Sequence, residues 1–204
     1  ATGGLIETVT DDGQKTSGDV VVLAFGSSPD DEKRAKKFLA TLAAAKKAVE
    51  LDPLSAIVNT DLGRALVSVG RFDEAADRFR KANEIDPEMP MPYRQAGVLD
   101  AYARDRFADA VPLLQRAAAL DPDNPLLEFF RARLYFDLGD DVAATRVIEA
   151  ARKRWPDNGA VLMVSAEMHM YRGEWDAALK DTQRLLALDS WAADPDAVLL
   201  WLRD

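Results

Sequence analysis

The strongest constraint in this sequence is a short apolar-Asp-Pro element that returns at a nearly constant distance. It reads LDP at residues 51–53, IDP at 85–87 and LDP at 120–122, so its prolines are 34 and 35 residues apart. Pro156 follows after another 34 residues, and Ser190 after a further 34. Recurrence on this scale is typical of a chain built from stacked supersecondary units.

Aligning the segments by these prolines brings residues of one chemical kind to the same positions. Small residues recur twice in each segment. They are Gly63, Gly97, Ala132 and Ala166 in the first half, and Ala75, Ala110, Ala144 and Ala178 in the second. Large apolar residues recur around them at helical spacing, so each segment predicts two amphipathic helices. Gly70, Gly139 and Gly173 stand where the first helix has to end, and the proline stops the second.

This order of small residue, alanine, aromatic or apolar residue, alanine and proline resembles the tetratricopeptide repeat, a helix-turn-helix unit of 34 residues. Residues 62–87, LGRALVSVGRFDEAADRFRKANEIDP, are a close match. Four such units cover residues 54–190, and residues 29–190 together form the predicted repeat domain. The resemblance implies an all-α fold, a right-handed α-solenoid of stacked helix-turn-helix repeats.

The second unit departs from the pattern. It has one extra residue between Gly97 and Phe107, which we expect in the turn at 103–106. It also has Asp100 at a position where an apolar residue is usual.

Three segments flank the four units. Residues 1–28 hold two apolar stretches, LIETVT and VVVLAF, around a turn-rich loop, and they predict a β-hairpin-like or extended segment. Residues 29–53 predict one long capping helix with Ser28 as its N-cap and Pro29 at its first position. Residues 191–204 begin a C-terminal helix whose apolar run, AVLLWL, indicates a contact surface or the start of a truncated repeat.

Composition narrows the classes of function. The net charge of -9 argues against binding to nucleic acid, and the absence of cysteine excludes disulfides and cysteine-ligated metal. The longest apolar runs, at 20–25 and 197–202, are too short to cross a bilayer, so we expect no direct membrane insertion. The compartment stays open, because a cysteine-free chain fits a reducing cytoplasm and an exported protein alike.

The sequence offers little catalytic chemistry. The segment DGQKTSG at 12–18 lacks the glycine order of a phosphate-binding loop. His169, the single histidine, takes a packing position, where we expect one satisfied ring nitrogen. Acidic pairs at three predicted helix starts are typical of capping. They are Asp30 with Asp31, Asp73 with Glu74, and Asp140 with Asp141. We therefore predict a protein that is not an enzyme and that uses no cofactor or metal.

The resemblance also implies where the chain binds. Stacked helix pairs present their first helices on a concave wall that suits an extended peptide or a partner helix. Carried over by position, the partner-binding residues are Thr60, Arg64, Arg94, Gln95, Tyr102, Phe129, Arg133, Phe136, Met163, Glu167, Met170 and Tyr171. Family members that act as chaperone adaptors hold a carboxylate with Lys and Asn; Thr60, Arg64 and Gln95 stand here instead, so we expect no heat-shock partner.

Arg64, Arg94 and Arg133 would line one path along this wall. Because arginine is a good bidentate partner for carboxylate, we expect a protein or peptide with an acidic group near the first three units and apolar side chains further on. The alternative is that the arginines pair with nearby acids such as Asp61 and Asp100, and that the apolar residues pack between units.

Three functions are consistent with these features. The leading one is a non-catalytic protein-protein interaction scaffold. The second is a regulatory or targeting segment of a larger multidomain protein or enzyme, to which the two ends of the sequence point. The third is a homo-oligomer that assembles through its terminal segments.

Overall fold

The structure, a computed structural model, describes residues 29–188, and this part of the chain consists of nine α-helices joined by short turns. In chain order they are α1 (Pro29–Leu51), α2 (Ala56–Ser68), α3 (Phe72–Ile85), α4 (Pro90–Ala103), α5 (Phe107–Leu120), α6 (Pro125–Asp137), α7 (Asp141–Arg154), α8 (Gly159–Tyr171) and α9 (Trp175–Leu186). The first of them, α1, covers residues 29–51 of the stretch 29–53 in which one long capping helix was predicted. The predicted hairpin at 1–28 and the predicted helix at 191–204 lie outside the described residues.

The recurring prolines end helices, as predicted. Each of the four follows the last residue of a helix by two positions, because proline has no N–H for the helical ladder and restricts the residue before it. They are Pro53 after α1, Pro87 after α3, Pro122 after α5 and Pro156 after α7. The chain therefore folds into the helix pairs that the 34-residue recurrence predicts.

Glycine at positive φ makes the turn within three of the four pairs. Gly70, Gly139 and Gly173 have φ of 76°, 75° and 72°, which glycine adopts without steric cost. In the second pair Asp105 takes this place with φ 52°. The extra residue of that pair was expected in the turn, and this is wrong: α4 has 14 residues where α2 has 13, so the insertion lengthens the helix.

Polar side chains start several helices. Asp140 accepts a hydrogen bond from the N–H of Ala143 at 3.0 Å, and Asp73 and Glu74 lie in the first turn of α3. The predicted capping role is confirmed for Asp140, whose carboxylate satisfies a free N–H group. At α3 the two acids favour the helix dipole by their position, but no side chain caps this helix by a hydrogen bond. The side chains of Asp30 and Asp31 lie outside the described part of the structure.

Asn158 provides a measurable case of capping. Its side-chain oxygen accepts hydrogen bonds from the N–H groups of Ala160 and Val161, at 3.0 and 3.2 Å. Asn158→Ala removes both acceptor contacts at the start of α8, so we expect the free energy of unfolding to fall by about 1 kcal/mol in urea titrations. Asn158→Ser keeps an acceptor at the N-cap and is the control. Equal losses in the two variants would show that capping is not the cause.

The chain divides into two compact units, one up to Arg104 and one from Asp105 onward. In the first unit, α2 and α3 pack closely where Gly63 faces Phe79, whose side chain is fully buried. Ala75 and Ala82, one turn to either side of that ring, are also buried and keep the two helices close. The small residues that recur in the sequence therefore lie at the helix contacts.

The second unit has a more extensive apolar core. Phe129 and Phe130 of α6 are both buried, with their rings 5.1 Å apart in an edge-to-face arrangement. Most of α8 is buried as well, from Val161 to Ala166. None of the helices between Pro29 and Leu186 is long and apolar enough to cross a lipid bilayer.

Candidate functional site

Four of the predicted wall residues form two contacts between α6 and α8 of the second unit, and a fifth lies beside them in the sequence of α8. Arg133 donates to Glu167, with 2.8 Å between Nη1 and Oε1, and both side chains are mostly buried. One helical turn further on, the rings of Phe136 and Tyr171 are 4.9 Å apart and tilted by 36°. Met170 adjoins Tyr171 on α8. We refer to these five residues as the α6/α8 surface.

The α6/α8 surface joins an ion pair to exposed apolar groups. Arg133 contacts Glu167 and also lies 3.9 Å from Asp137, between Nε and Oδ2, so its charge is compensated by acids of the protein itself. Tyr171 is 66% exposed and Met170 is 44% exposed, so both present apolar area to solvent. Aromatic and methionine side chains in such positions are adaptable contacts for an apolar group of another molecule.

Three other predicted residues lie inside the helix packing. Thr60, Phe129 and Met163 are buried, and the hydroxyl of Thr60 donates to the carbonyl oxygen of Ala56 at 2.7 Å. A partner cannot reach these side chains without displacing a helix. The sequence placed them on the wall because, on a first helix, the wall-facing and packing-facing positions are close neighbours.

The remaining predicted residues belong to the first unit. Arg64 is half exposed on α2 and lies 3.7 Å from Asp61, between Nη1 and Oδ1. Arg94, Gln95 and Tyr102 are half-buried on α4. One alternative was that the wall arginines pair with nearby acids, and the contact of Arg64 with Asp61 agrees with it in part. The path of three arginines along the wall stays a prediction.

Asp100, the other acid in that alternative, has a different partner. It accepts a hydrogen bond from Arg104 of the next helical turn, at 2.7 Å between Oδ1 and Nη1. Arg104 also lies 3.0 Å from Asp73 of α3. An arginine that contacts two acids explains how Asp100 occupies a position that is apolar in other units.

A polar cluster that the sequence did not predict links α7, α8 and α9. Arg152 contacts both carboxylate oxygens of Asp181, at 2.5 and 3.0 Å, and the hydroxyl of Ser165 donates to Asp181 at 2.6 Å. His169 also belongs to this cluster: its Nδ1 lies 2.5 Å from Glu174, and its Nε2 lies 3.4 Å from Arg152. A signal was present in the sequence, because Asp181 aligns with Val147 and Leu113 of the two preceding units.

The polar cluster does not have the geometry of a catalytic triad. A serine nucleophile needs a hydrogen bond to its base, but Ser165 donates to Asp181 and is buried, so neither activation nor substrate access is provided. His169 was expected to have one satisfied ring nitrogen, and both of its nitrogens have polar neighbours. Between residues 29 and 188, no three His, Asp or Glu side chains are arranged to hold a metal ion.

Two family models, both described as tetratricopeptide repeat, match the chain. One matches residues 101–167. The other matches residues 30–90 and 141–198, which is more than half of the chain. Between them, the matched segments cover the described helices except Pro29 and residues 91–100 of α4.

Curated relatives match by sequence over part of the chain. The small glutamine-rich tetratricopeptide repeat-containing protein 2 of Mycosarcoma maydis is 31% identical over 94 residues, which are 46% of this chain and 26% of that protein. The DnaJ homolog subfamily C member 3 of Gallus gallus is 27% identical over 143 residues, 62% of this chain and 28% of that protein. The cellulose synthase 2 operon protein C of Komagataeibacter xylinus is 32% identical over 136 residues, 65% of this chain and 10% of that protein. The chain thus spans less than a third of the length of each.

Solved structures match over most of the chain. MamA has a TM-score of 0.62 at 22% identity, over 79% of this chain and 95% of that one. The thermophilic TPR protein TTC0263 of Thermus thermophilus has a TM-score of 0.63 at 18% identity, over 85% and 93%. YrrB, described as a TPR protein with an unusual peptide-binding site, has a TM-score of 0.57 at 20% identity, over 84% and 87%. These likenesses confirm the predicted all-α fold of helix-turn-helix repeats.

Proposed function

Because this chain belongs to the tetratricopeptide repeat family, we propose that it is a non-catalytic scaffold that binds a segment of another protein. A repeat array presents its first helices as an extended surface on which a peptide can lie. YrrB, which has the same fold, is described as having a peptide-binding site. The chain's acidic balance and its helical surface favour a protein partner over nucleic acid.

The observation that carries this proposal is the α6/α8 surface. Its exposed side chains are an aromatic residue and a methionine, which interfaces between proteins favour over the charged residues of ordinary surface. Phe136 supports the exposed ring of Tyr171 from α6, so this ring loses little freedom when a partner covers it. We propose that an apolar side chain of the partner segment packs against Met170 and Tyr171.

We do not expect an acidic group of the partner to bind Arg133. Arg133 is paired with Glu167 at 2.8 Å, and a partner carboxylate would have to displace Glu167 to reach it. Arg64 is the better candidate, since it is half exposed and its contact with Asp61 is long, at 3.7 Å. Exposed pairs of this kind are weak and are easily exchanged for another carboxylate.

Peptides selected against the 204-residue chain from a display library provide a defined ligand for the test. Replacing Met170 and Tyr171 together by alanine is expected to raise the Kd of such a peptide roughly tenfold or more, because central aromatic contacts carry much of an interface's affinity. Isothermal titration calorimetry measures the Kd, and circular dichroism checks that the helices remain.

The matched control for this test is Val142→Ala. Val142 is an exposed apolar residue of the same unit, in the first turn of α7, and is not part of the α6/α8 surface. We expect the Kd of the peptide for this variant to stay within roughly twofold of the wild-type value, as is usual for residues outside an interface. A double variant that binds as tightly as Val142→Ala would remove the α6/α8 surface from the proposal.

A further inference from the structure

Asn158 is the only asparagine of the sequence that a glycine follows. The other three, Asn59, Asn83 and Asn124, precede threonine, glutamate and proline. An asparagine side chain loses its amide when the backbone nitrogen of the next residue attacks its Cγ. Glycine in that next position hinders the attack least, because it has no Cβ and its backbone adopts many conformations. The sequence thus places one amide in the setting that most favours this reaction.

The structure gives this amide a second role, as the N-cap of α8. Its oxygen accepts hydrogen bonds from the N–H groups of Ala160 and Val161, and its backbone is extended, with φ −87° and ψ 130°. Ring closure on Cγ requires Cβ of Asn158 and the nitrogen of Gly159 to be nearly eclipsed about the Cα–C bond. At the observed ψ the two atoms are far from that arrangement, so the closed cap holds the reaction back.

The packing of the first turn of α8 keeps the cap closed. Val161 and Leu162 are buried, and the N–H of Leu162 donates to the backbone carbonyl oxygen of Asn158 at 3.0 Å. Rotation about the Cα–C bond of Asn158 turns this carbonyl away and breaks the hydrogen bond. Asn158 therefore reaches the reactive conformation when the first turn of α8 opens locally.

We propose that Asn158 is a self-modification site that is controlled by the opening of α8. When the first turn opens, the nitrogen of Gly159 attacks Cγ of Asn158 and a new C–N bond forms. The side-chain amide leaves as ammonia and takes the proton of the attacking nitrogen. Water then opens the cyclic imide at either of its two carbonyl carbons, which gives aspartate or isoaspartate at position 158. The steps are an internal acyl transfer and a hydrolysis, so water is the only co-reactant.

The two products differ in what they leave of the cap. Aspartate keeps an acceptor at the start of α8 and adds a negative charge where the helix dipole favours one. Isoaspartate adds an atom to the main chain and moves the carboxylate out of the capping position. Because neither product returns to the amide, the modified fraction would record how often this helix start has opened.

Asn124 provides an internal control in the same chain. It lies 34 residues before Asn158 and caps α6 in the same way, since its side-chain oxygen accepts from the N–H of Leu126 at 3.1 Å. The residue after it is Pro125, whose nitrogen has no hydrogen to give up in the attack. The two caps are therefore alike in structure and differ in this chemistry.

Incubation of the full chain in mildly alkaline buffer tests the proposal. Peptide mapping by mass spectrometry measures the conversion of Asn158 and Asn124, and electron-transfer fragmentation separates isoaspartate from aspartate. We expect Asn158 to convert to both products, at least about tenfold faster in guanidinium chloride than in the folded chain. In guanidinium chloride, Asn124 should convert at least about tenfold more slowly than Asn158. Gly159→Ala should slow the conversion of Asn158 there by a similar factor, because its Cβ hinders the attack.

A packing variant tests the control by α8 in the folded chain. Leu162→Ala weakens the first turn, so Asn158 should convert at least about threefold faster than in the wild type, while the exposed Val142→Ala leaves the rate unchanged. Circular dichroism checks that both variants are folded. Equal rates for the wild type with and without guanidinium chloride would overturn the control by opening, whatever the variants do. Conversion that Gly159→Ala does not slow, or an Asn158 that stays intact in guanidinium chloride, would overturn the site itself.

Discussion

Gly63→Ala is expected to destabilise the first unit by about 2 kcal/mol, the net of an overpacked contact and the better helix propensity of alanine. A Cβ atom at position 63 would lie 2.4, 2.7 and 2.9 Å from three ring atoms of Phe79. That ring is fully buried between α2 and α3 and has no solvent-facing side to which it can turn. The helices must therefore move apart, which weakens the packing of Ala75 and Ala82. Urea denaturation followed by circular dichroism measures the loss.

A double-mutant cycle separates the close contact from other causes. Phe79→Leu shortens the side chain that the new methyl group meets, so Gly63→Ala should cost much less in that background than in the wild type. The coupling should be at least about 1 kcal/mol, because residues in direct contact are strongly non-additive. An unchanged cost in the two backgrounds would mean that the contact with Phe79 is not the reason for glycine at 63.

Asp181→Asn is expected to lower the stability of the second unit by about 2 to 3 kcal/mol, since it leaves a guanidinium without its buried counter-charge. The carboxylate of Asp181 is 3% exposed and accepts from Arg152 and Ser165 at 2.5 to 3.0 Å. An amide keeps the shape and one acceptor but supplies no charge. Arg152 is partly exposed, which places the loss at the lower end of the range for buried pairs.

A surface pair in the same unit is the matched control. Asp157 and Arg184 are 2.6 Å apart, but the acid's side chain is 63% exposed, so Asp157→Asn should cost less than about 1 kcal/mol. Replacing the buried pair as a whole, by Arg152→Met with Asp181→Leu, should recover part of the loss of Asp181→Asn, because no charge is then left unpaired. Equal losses at Asp157 and Asp181 would contradict the argument from burial.

Local chemistry made most of the helix ends predictable. The prolines and Gly70, Gly139 and Gly173 act on the backbone within one or two residues, and nothing distant alters their effect. Asp105 shows the limit of this reasoning. It makes the turn that glycine makes in the other pairs, although aspartate adopts a positive φ less readily than glycine. Because no glycine marks this turn in the sequence, the extra residue of that pair was assigned to the turn, whereas it belongs to α4.

For the candidate surface, the sequence predicted which residues are neighbours better than it predicted which of them are exposed. Arg133 and Glu167 are 34 residues apart, so opposite charges at one place in successive units point to a pair, which the structure contains. Phe129 and Met163 occupy neighbouring turns of the same helices and are buried. Whether such a residue faces a partner or the next helix depends on small rotations of the helix about its axis, which a single sequence does not encode. The polar cluster as a whole was not predictable, because it forms only through the meeting of three helices, α7, α8 and α9.

That meeting of three helices has a consequence for how the second unit unfolds. In a repeat array, each pair is held by its own stability and by its interface with the neighbour, and terminal pairs open first. Asp181 joins α9 directly to Arg152 of α7, across the helix that lies between them in sequence. Opening α9 therefore breaks an ion pair that α9 makes with the preceding helix pair, so the last described pair and α7 should lose their protection against hydrogen exchange in one cooperative step.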